Sequence, residues 1–89
     1  MAIIIKISGE IENVEPSNGK LFSLLELQEA VNGYIQIVPI NEGDYENKLM
    51  IVDEEGKLKA NAQVNNEASE IANQLIVGDV IIIDKDQIE

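Results

Sequence analysis

Apolar positions divide the chain into short blocks whose spacing changes from strand-like to helical and back. Ala2-Ile3-Ile4-Ile5-Lys6-Ile7 is a short β-branched run, and Glu10-Ile11-Glu12-Asn13-Val14-Glu15 mixes polar and apolar positions, so residues 2–7 and 10–15 are expected to be two strands joined at Ser8-Gly9. Pro16-Ser17-Asn18-Gly19 collects four turn formers and ends the second strand. A helix then starts at Ser23. Glu26 stands three residues later, the spacing of a capping box, and Phe22 and Leu27 flank the cap as a hydrophobic staple. Leu24, Leu27, Ala30 and Val31 recur at helical spacing, and Asn32-Gly33 supplies a stop in which Gly33 is expected to take the left-handed position.

Tyr34 to Ile40 reads as a strand, with Pro39 marking its end or a sheet edge. Asn41 to Asn47 is an acidic loop and Leu49 to Val52 a further strand. Asp53-Glu54-Glu55-Gly56 turns the chain towards Lys57-Leu58-Lys59, as a hairpin with positive φ at Gly56. Ala68, Ile71, Ala72 and Leu75 give the i, i+3, i+4, i+7 stripe of a second helix over about Glu67 to Leu75, capped by Asn65 or Asn66. Val80 to Ile83 is apolar without alternation, the mark of a central strand buried on both faces. Asp84 to Glu89 is a polar tail expected to fray. The chain therefore predicts one α+β domain over residues 1–89: a small mixed or antiparallel sheet of about five strands with two helices.

Composition makes that domain feasible and narrows its chemistry. A 9.8 kDa chain with 45% hydrophobic residues can bury close to two-thirds of its extended surface, about 64%. Cysteine is absent, so disulfides and thiolate metal sites are excluded, and no run approaches a membrane span. The amino terminus lacks a cleavage-site pattern, which favours the cytoplasm. Seventeen acidic residues oppose six lysines, with no arginine and no histidine, giving a net charge of −11. Such a field repels nucleic acid and anionic membranes and attracts basic partners.

Catalysis of the Ser-His or Cys-His type has no residues to serve it. Asn41, Glu42, Asp44 and Glu46, or Asp53, Glu54 and Glu55, offer oxygen ligands for a divalent cation, but neither segment has the spacing of a calcium-binding loop, so a solvated turn is the better account and no metal or cofactor is expected. The glycines occur singly and build no phosphate loop, although amides near Asn65 and Asn66 with Lys57 or Lys59 could hold an anion. Tyr34 is one of three aromatic residues; it is expected as a core or sheet-face tyrosine, the alternative being a ring that stacks on a base or anchors a partner.

Between Leu21 and Ile83 the chain presents in order Leu24 to Val31, Asn32-Gly33-Tyr34-Ile35, Asp53-Glu54-Glu55-Gly56-Lys57-Leu58, Asn65-Asn66-Glu67-Ala68-Ser69 and Val77-Gly78-Asp79-Val80. This order of features resembles a family of small, mostly phage- and mobile-element-borne proteins catalogued as domain of unknown function 3846. Where that family tends to place a proline before the second helix, this sequence has Ala62-Gln63-Val64. The resemblance implies a phage or mobile-element setting and no particular chemistry.

Two functions are expected from these readings. The first is a non-enzymatic accessory protein that inhibits a host defence factor by binding its basic surface, through the loop acids Glu42, Asp44 and Glu46 and the turn acids Asp53, Glu54 and Glu55. The alternative is a homo-oligomeric sponge for a small nucleotide-type immune signal, held between subunits by Tyr34, Lys57, Lys59 and Asn65. Either would act in the host cytoplasm.

Overall fold

The computed structural model describes residues 1–88. Five strands form one sheet: β1 (Ala2–Ile5), β2 (Ile11–Asn13), β3 (Ile35–Pro39), β4 (Leu49–Asp53) and β5 (Val80–Ile83). Their order is β2-β1-β5-β4-β3, and every neighbouring pair is antiparallel. Helix α1 (Leu24–Val31) carries the chain from the β2 edge to the β3 edge, and α2 (Asn66–Ala72) lies between β4 and β5 in sequence. The small α+β fold read from the sequence is present, with a wholly antiparallel sheet.

Strand parity sends the apolar residues to two cores. Ala2, Ile51, Ile81 and Ile83 face α1, where they meet Phe22, Leu27 and Val31. Ile3, Ile5, Met50, Val52, Val80 and Ile82 face the other way, onto Ala68 of α2 and Ile76. β5 is fully buried along its length because both layers cover it. That explains its unbroken apolar run: a strand with water on neither side has no position at which a polar residue is tolerated.

Local signals set the element ends. Ser23 accepts from the Glu26 N–H while the Glu26 carboxylate accepts from the Ser23 N–H, completing the expected capping box. Phe22 and Leu27 of the staple are both buried, but Leu24 is 56% exposed, so the buried stripe of α1 is Leu27 and Val31. The left-handed residue after α1 is Asn32, at φ 61°, and not Gly33. Gly56 likewise has no positive φ and starts no hairpin; it opens a 3-10 turn, Gly56–Leu58. The segment that would have been a partner strand leads instead to α2. Leu75 falls beyond the end of α2 and is 53% exposed, because the left-handed Asn73 stops the helix first. The tail is not frayed up to Ile88: Lys85–Gln87 forms a 3-10 turn, the Phe22 N–H donates to the Gln87 carbonyl at 2.6 Å, and Ile88 packs against the α1-side core. Glu89 lies outside the described residues.

Asn65 is the polar keystone of the α2 side. It is fully buried, its Oδ1 accepts from the Ala68 N–H at 3.0 Å, and its Nδ2 donates to the carbonyls of Ile5 at 3.0 Å and Gly78 at 2.9 Å. One side chain thus caps α2 and ties it to the end of β1 and to the turn before β5.

Candidate functional site

The loop between β3 and β4 folds back on itself. The Glu46 N–H donates to the Gly43 carbonyl, the Asn47 N–H to that of Ile40, and the Lys48 N–H to that of Tyr45. Tyr45, half-buried, packs with Ile71 and Ala72 against the α2-side core, which brings the loop against α2. Glu42 and Asp44 therefore line one open concavity of about 440 Å³ with Glu67 and Glu70, around Tyr45 and Ile71. Glu67 and Glu70 are three residues apart and so share one side of the helix. No lysine lines this concavity. Glu46 is exposed on the same loop but outside the concavity. Among the described residues no group of three or more carboxylates is placed to hold a metal ion.

The turn acids do not join them. Asp53 ends β4 and Glu54 and Glu55 follow it, and the length of this five-residue strand separates the two groups by roughly 15 Å at about 3.3 Å per residue. Asp53, moreover, is only 8% exposed and cannot serve as a surface contact. Its parity with Leu49 and Ile51 points it to the α1 side, where Oδ2 pairs with Lys59 Nζ at 2.5 Å and Oδ1 accepts from the Glu55 N–H at 2.9 Å. Lys59 Nζ also donates to the Asn32 carbonyl at 2.6 Å, beyond the last residue of α1. A Cβ on Gly33 would stand 2.6 Å from Asp53 Oδ1. The glycine that looked like a helix stop is thus required by the carboxylate packed against it. Glu54 and Glu55 remain exposed.

Of the four residues expected at a ligand site, the structure brings two together. Tyr34, 65% exposed, and Lys59 line a cleft with Gln28, Gly33, Asp53 and Glu55. Lys57 lines a neighbouring concavity with Glu54 and Gln36. Asn65 is excluded: it is buried, and its amide is committed to internal partners. Tyr34 projects into solvent from the α1–β3 connection and is not a core tyrosine.

Three of the six lysines are taken up in ion pairs away from the α2–loop concavity. Lys6 pairs with Glu10 and Glu12, Lys48 and the amino terminus pair with Asp84, and Lys59 pairs with Asp53. The hydrogen bond to Glu12 and the charge of Glu10 raise the pKa of Lys6 above its ordinary value. Hydrogen bonds from Lys48 and the amino terminus hold the Asp84 carboxyl below the usual carboxylate range. The N–H groups of Ser23 and Ser17 do the same for Glu26. These lysines act as clamps between segments, which leaves the α2–loop concavity as an acidic surface with no cation of its own.

The model of a domain of unknown function, DUF3846, matches residues 1–89. The chain belongs to this family. Membership takes in β1, β2 and the C-terminal turn as well as the stretch from Leu21 to Ile83. No curated protein and no solved structure matches the chain. Glu67 and Glu70 were not singled out in the sequence. Their spacing was visible there, but the loop that packs beside them was not, since that contact depends on Tyr45 meeting Ile71 across about 26 residues of chain.

Proposed function

We propose that this DUF3846 protein is a non-catalytic binding protein that docks a basic surface of a protein partner onto the face formed by the β3–β4 loop and α2. The observation that carries it is the gathering of Glu42, Asp44, Glu67 and Glu70 from two elements around Tyr45 and Ile71, with no lysine among the lining residues. Carboxylates at the rim steer the encounter, and the half-buried tyrosine and isoleucine give an apolar centre to the contact. In a phage or mobile-element setting the partner would be a host factor, and a basic surface that ordinarily holds nucleic acid has the complementary charge.

The test is capture of host protein at low and high salt by two matched variants. Reversing Glu42, Asp44, Glu67 and Glu70 to Lys should abolish a salt-sensitive capture. Reversing Glu15, Glu29, Glu54 and Glu55 changes the net charge equally and should largely preserve it. Equal loss in both variants would show non-specific charge attraction and reject the assignment of the face.

The cleft at Tyr34 supports a second reading, a small anionic ligand of nucleotide type stacked on the exposed ring beside Lys59. It is the weaker one, because the Lys59 ammonium is already held by Asp53 and the Asn32 carbonyl. Heating the purified protein and analysing what it releases decides between them: a stoichiometric nucleotide supports the cleft, and none counts against it.

A further inference from the structure

The two edges of the sheet are built differently. β2 is three residues long, carries Glu12, and is flanked by the Lys6 pairs with Glu10 and Glu12. Short length and charge are the usual protections of a sheet edge. β3 has neither. It is five residues long and lies within the stretch from Ala30 to Asn41, which contains no charged residue in a chain that is 26% charged. Ile37 on this strand is 45% exposed.

Backbone geometry fixes what the edge offers. Tyr34 accepts from the Glu54 N–H, Ile40 donates to the Lys48 carbonyl, and Gln36 and Val38 stand opposite Val52 and Met50. The even-numbered residues therefore bond to β4, and by alternation the N–H and C=O groups of Ile35 and Ile37 point out of the sheet. Pro39 occupies the next outward position, where its missing N–H costs β4 nothing.

We propose that β3 is a self-association edge, pairing antiparallel with β3 of a second copy to form one continuous ten-stranded sheet. The register follows from the donors. With Gln36 on the two-fold axis, Ile35 of each copy stands opposite Ile37 of the other, so both outward N–H groups of each chain find carbonyls. Moving the axis to Ile37 sets Ile35 against Pro39, which has no N–H to return, and leaves one carbonyl unpaired in each copy. The first register also lays exposed Ile37 against Ile35 of the second copy on the α1 side, and brings the two Gln36 side chains together on the other. A second copy is the occupant because the pairing is self-complementary and uncharged strand meets uncharged strand, the one approach along a sheet edge at which two strongly acidic bodies avoid opposing carboxylates in the paired strands.

The proposal does not depend on the acidic face, and salt separates the two. Docking of a basic partner weakens as salt rises; association of two like-charged copies strengthens. Sedimentation equilibrium of the full chain from ~10 μM to ~1 mM, at low and high salt, should show a monomer–dimer equilibrium displaced towards dimer by salt. Ile37→Lys places a charge in the paired edge and should weaken the dimer at least tenfold with an unchanged circular dichroism spectrum. In the unaltered protein, the Ile35 and Ile37 amides should exchange slowly at dimer-forming concentration and fast on dilution, a readout that stands even if the variant does not fold. A monomer at every concentration would overturn the proposal and leave the edge to a strand from another protein. So would a dimer indifferent to Ile37→Lys, or one in which those two amides stay unprotected.

Discussion

Replacing Asn65 by Ala tests how much of the fold hangs on one buried amide. The substitution removes the cap of α2, worth ~1 kcal/mol. It also leaves the buried carbonyl of Ile5 and the partly exposed carbonyl of Gly78 without their side-chain donor, at about 1–3 kcal/mol for a buried group left unsatisfied and less for one that water can reach. Because a carbonyl keeps a second lone pair for its other partners, the lower part of that range applies, and the total is about 2–3 kcal/mol. A domain of this length has roughly 4–13 kcal/mol of stability in all, so the variant should lose a large share of it. Urea unfolding at pH 7 measures the loss. Asn65→Asp separates the parts: it keeps the oxygen that caps α2 but turns a carboxylate towards two carbonyls. The pKa of the introduced carboxyl is therefore raised in the folded state, and its destabilisation is complete at neutral pH and relieved as the pH falls through the raised value, where the protonated group regains one donor. Asn65→Asp should be no better than Asn65→Ala at pH 7 and better than it in mild acid. A loss below about 1 kcal/mol for Asn65→Ala, with unaltered amide exchange in α2, would refute this account of Asn65.

Two further outcomes follow from other contacts. Gly33→Ala forces a Cβ to within 2.6 Å of Asp53 Oδ1 and should cost ~2 kcal/mol as an overpacked site; in an Asp53→Ala background the same change should cost less than half as much, and additive losses in a double-mutant cycle would reject the close approach as the reason for the glycine. Asp84, its pKa lowered by Lys48 and the amino terminus, stabilises the fold above the ordinary carboxylate pKa, and that contribution disappears as the pH falls through the lowered value. The stability difference between the protein and Asp84→Asn should accordingly be constant from neutral to mildly acidic pH and shrink to nothing in strong acid; a pH-independent difference would mean that the Asp84 pairs contribute no charge term.

The elements that the sequence displays best are those whose signal is local. The Ser23–Glu26 box, the Asn65 cap and the unbroken Val80–Ile83 run each depend on a few adjacent residues, and each is where the spacing puts it. Gly33 and Gly56 depart from the sequence expectation for one shared reason. A glycine in a turn predicts positive φ, and neither residue adopts it; at Gly33 the missing Cβ instead makes room for a carboxylate twenty residues away along the chain. Asp53 was misplaced with its neighbours for a related reason. It ends a strand whose odd positions face α1, so parity took it into the protein while Glu54 and Glu55 stayed out. The acidic face was half legible: Glu42 and Asp44 stood out as loop acids, but their companions on α2 depend on a tertiary contact that no periodicity reports.

That contact also explains how a net charge becomes a directed one. Seventeen carboxylates spread evenly over so small a body would repel one another and attract any cation without preference. Here Lys6, Lys48 and Lys59 are spent on stitching β1 to its hairpin, the β3–β4 connection to the carboxyl-terminal segment, and the β4–α2 turn to the end of α1. Each stitch neutralises the acid beside it. On the α2–loop face Glu42, Asp44, Glu67 and Glu70 gather with no lysine among them, and the paired strand of the β3 edge carries no charged residue. On the two proposals above, a basic partner and a second copy of the chain would meet different parts of the same surface. If both associations occur, raising the salt should exchange one for the other: partner released and dimer formed. A single salt titration that showed both weakening together would break the link between these lysine pairs and the division of the surface.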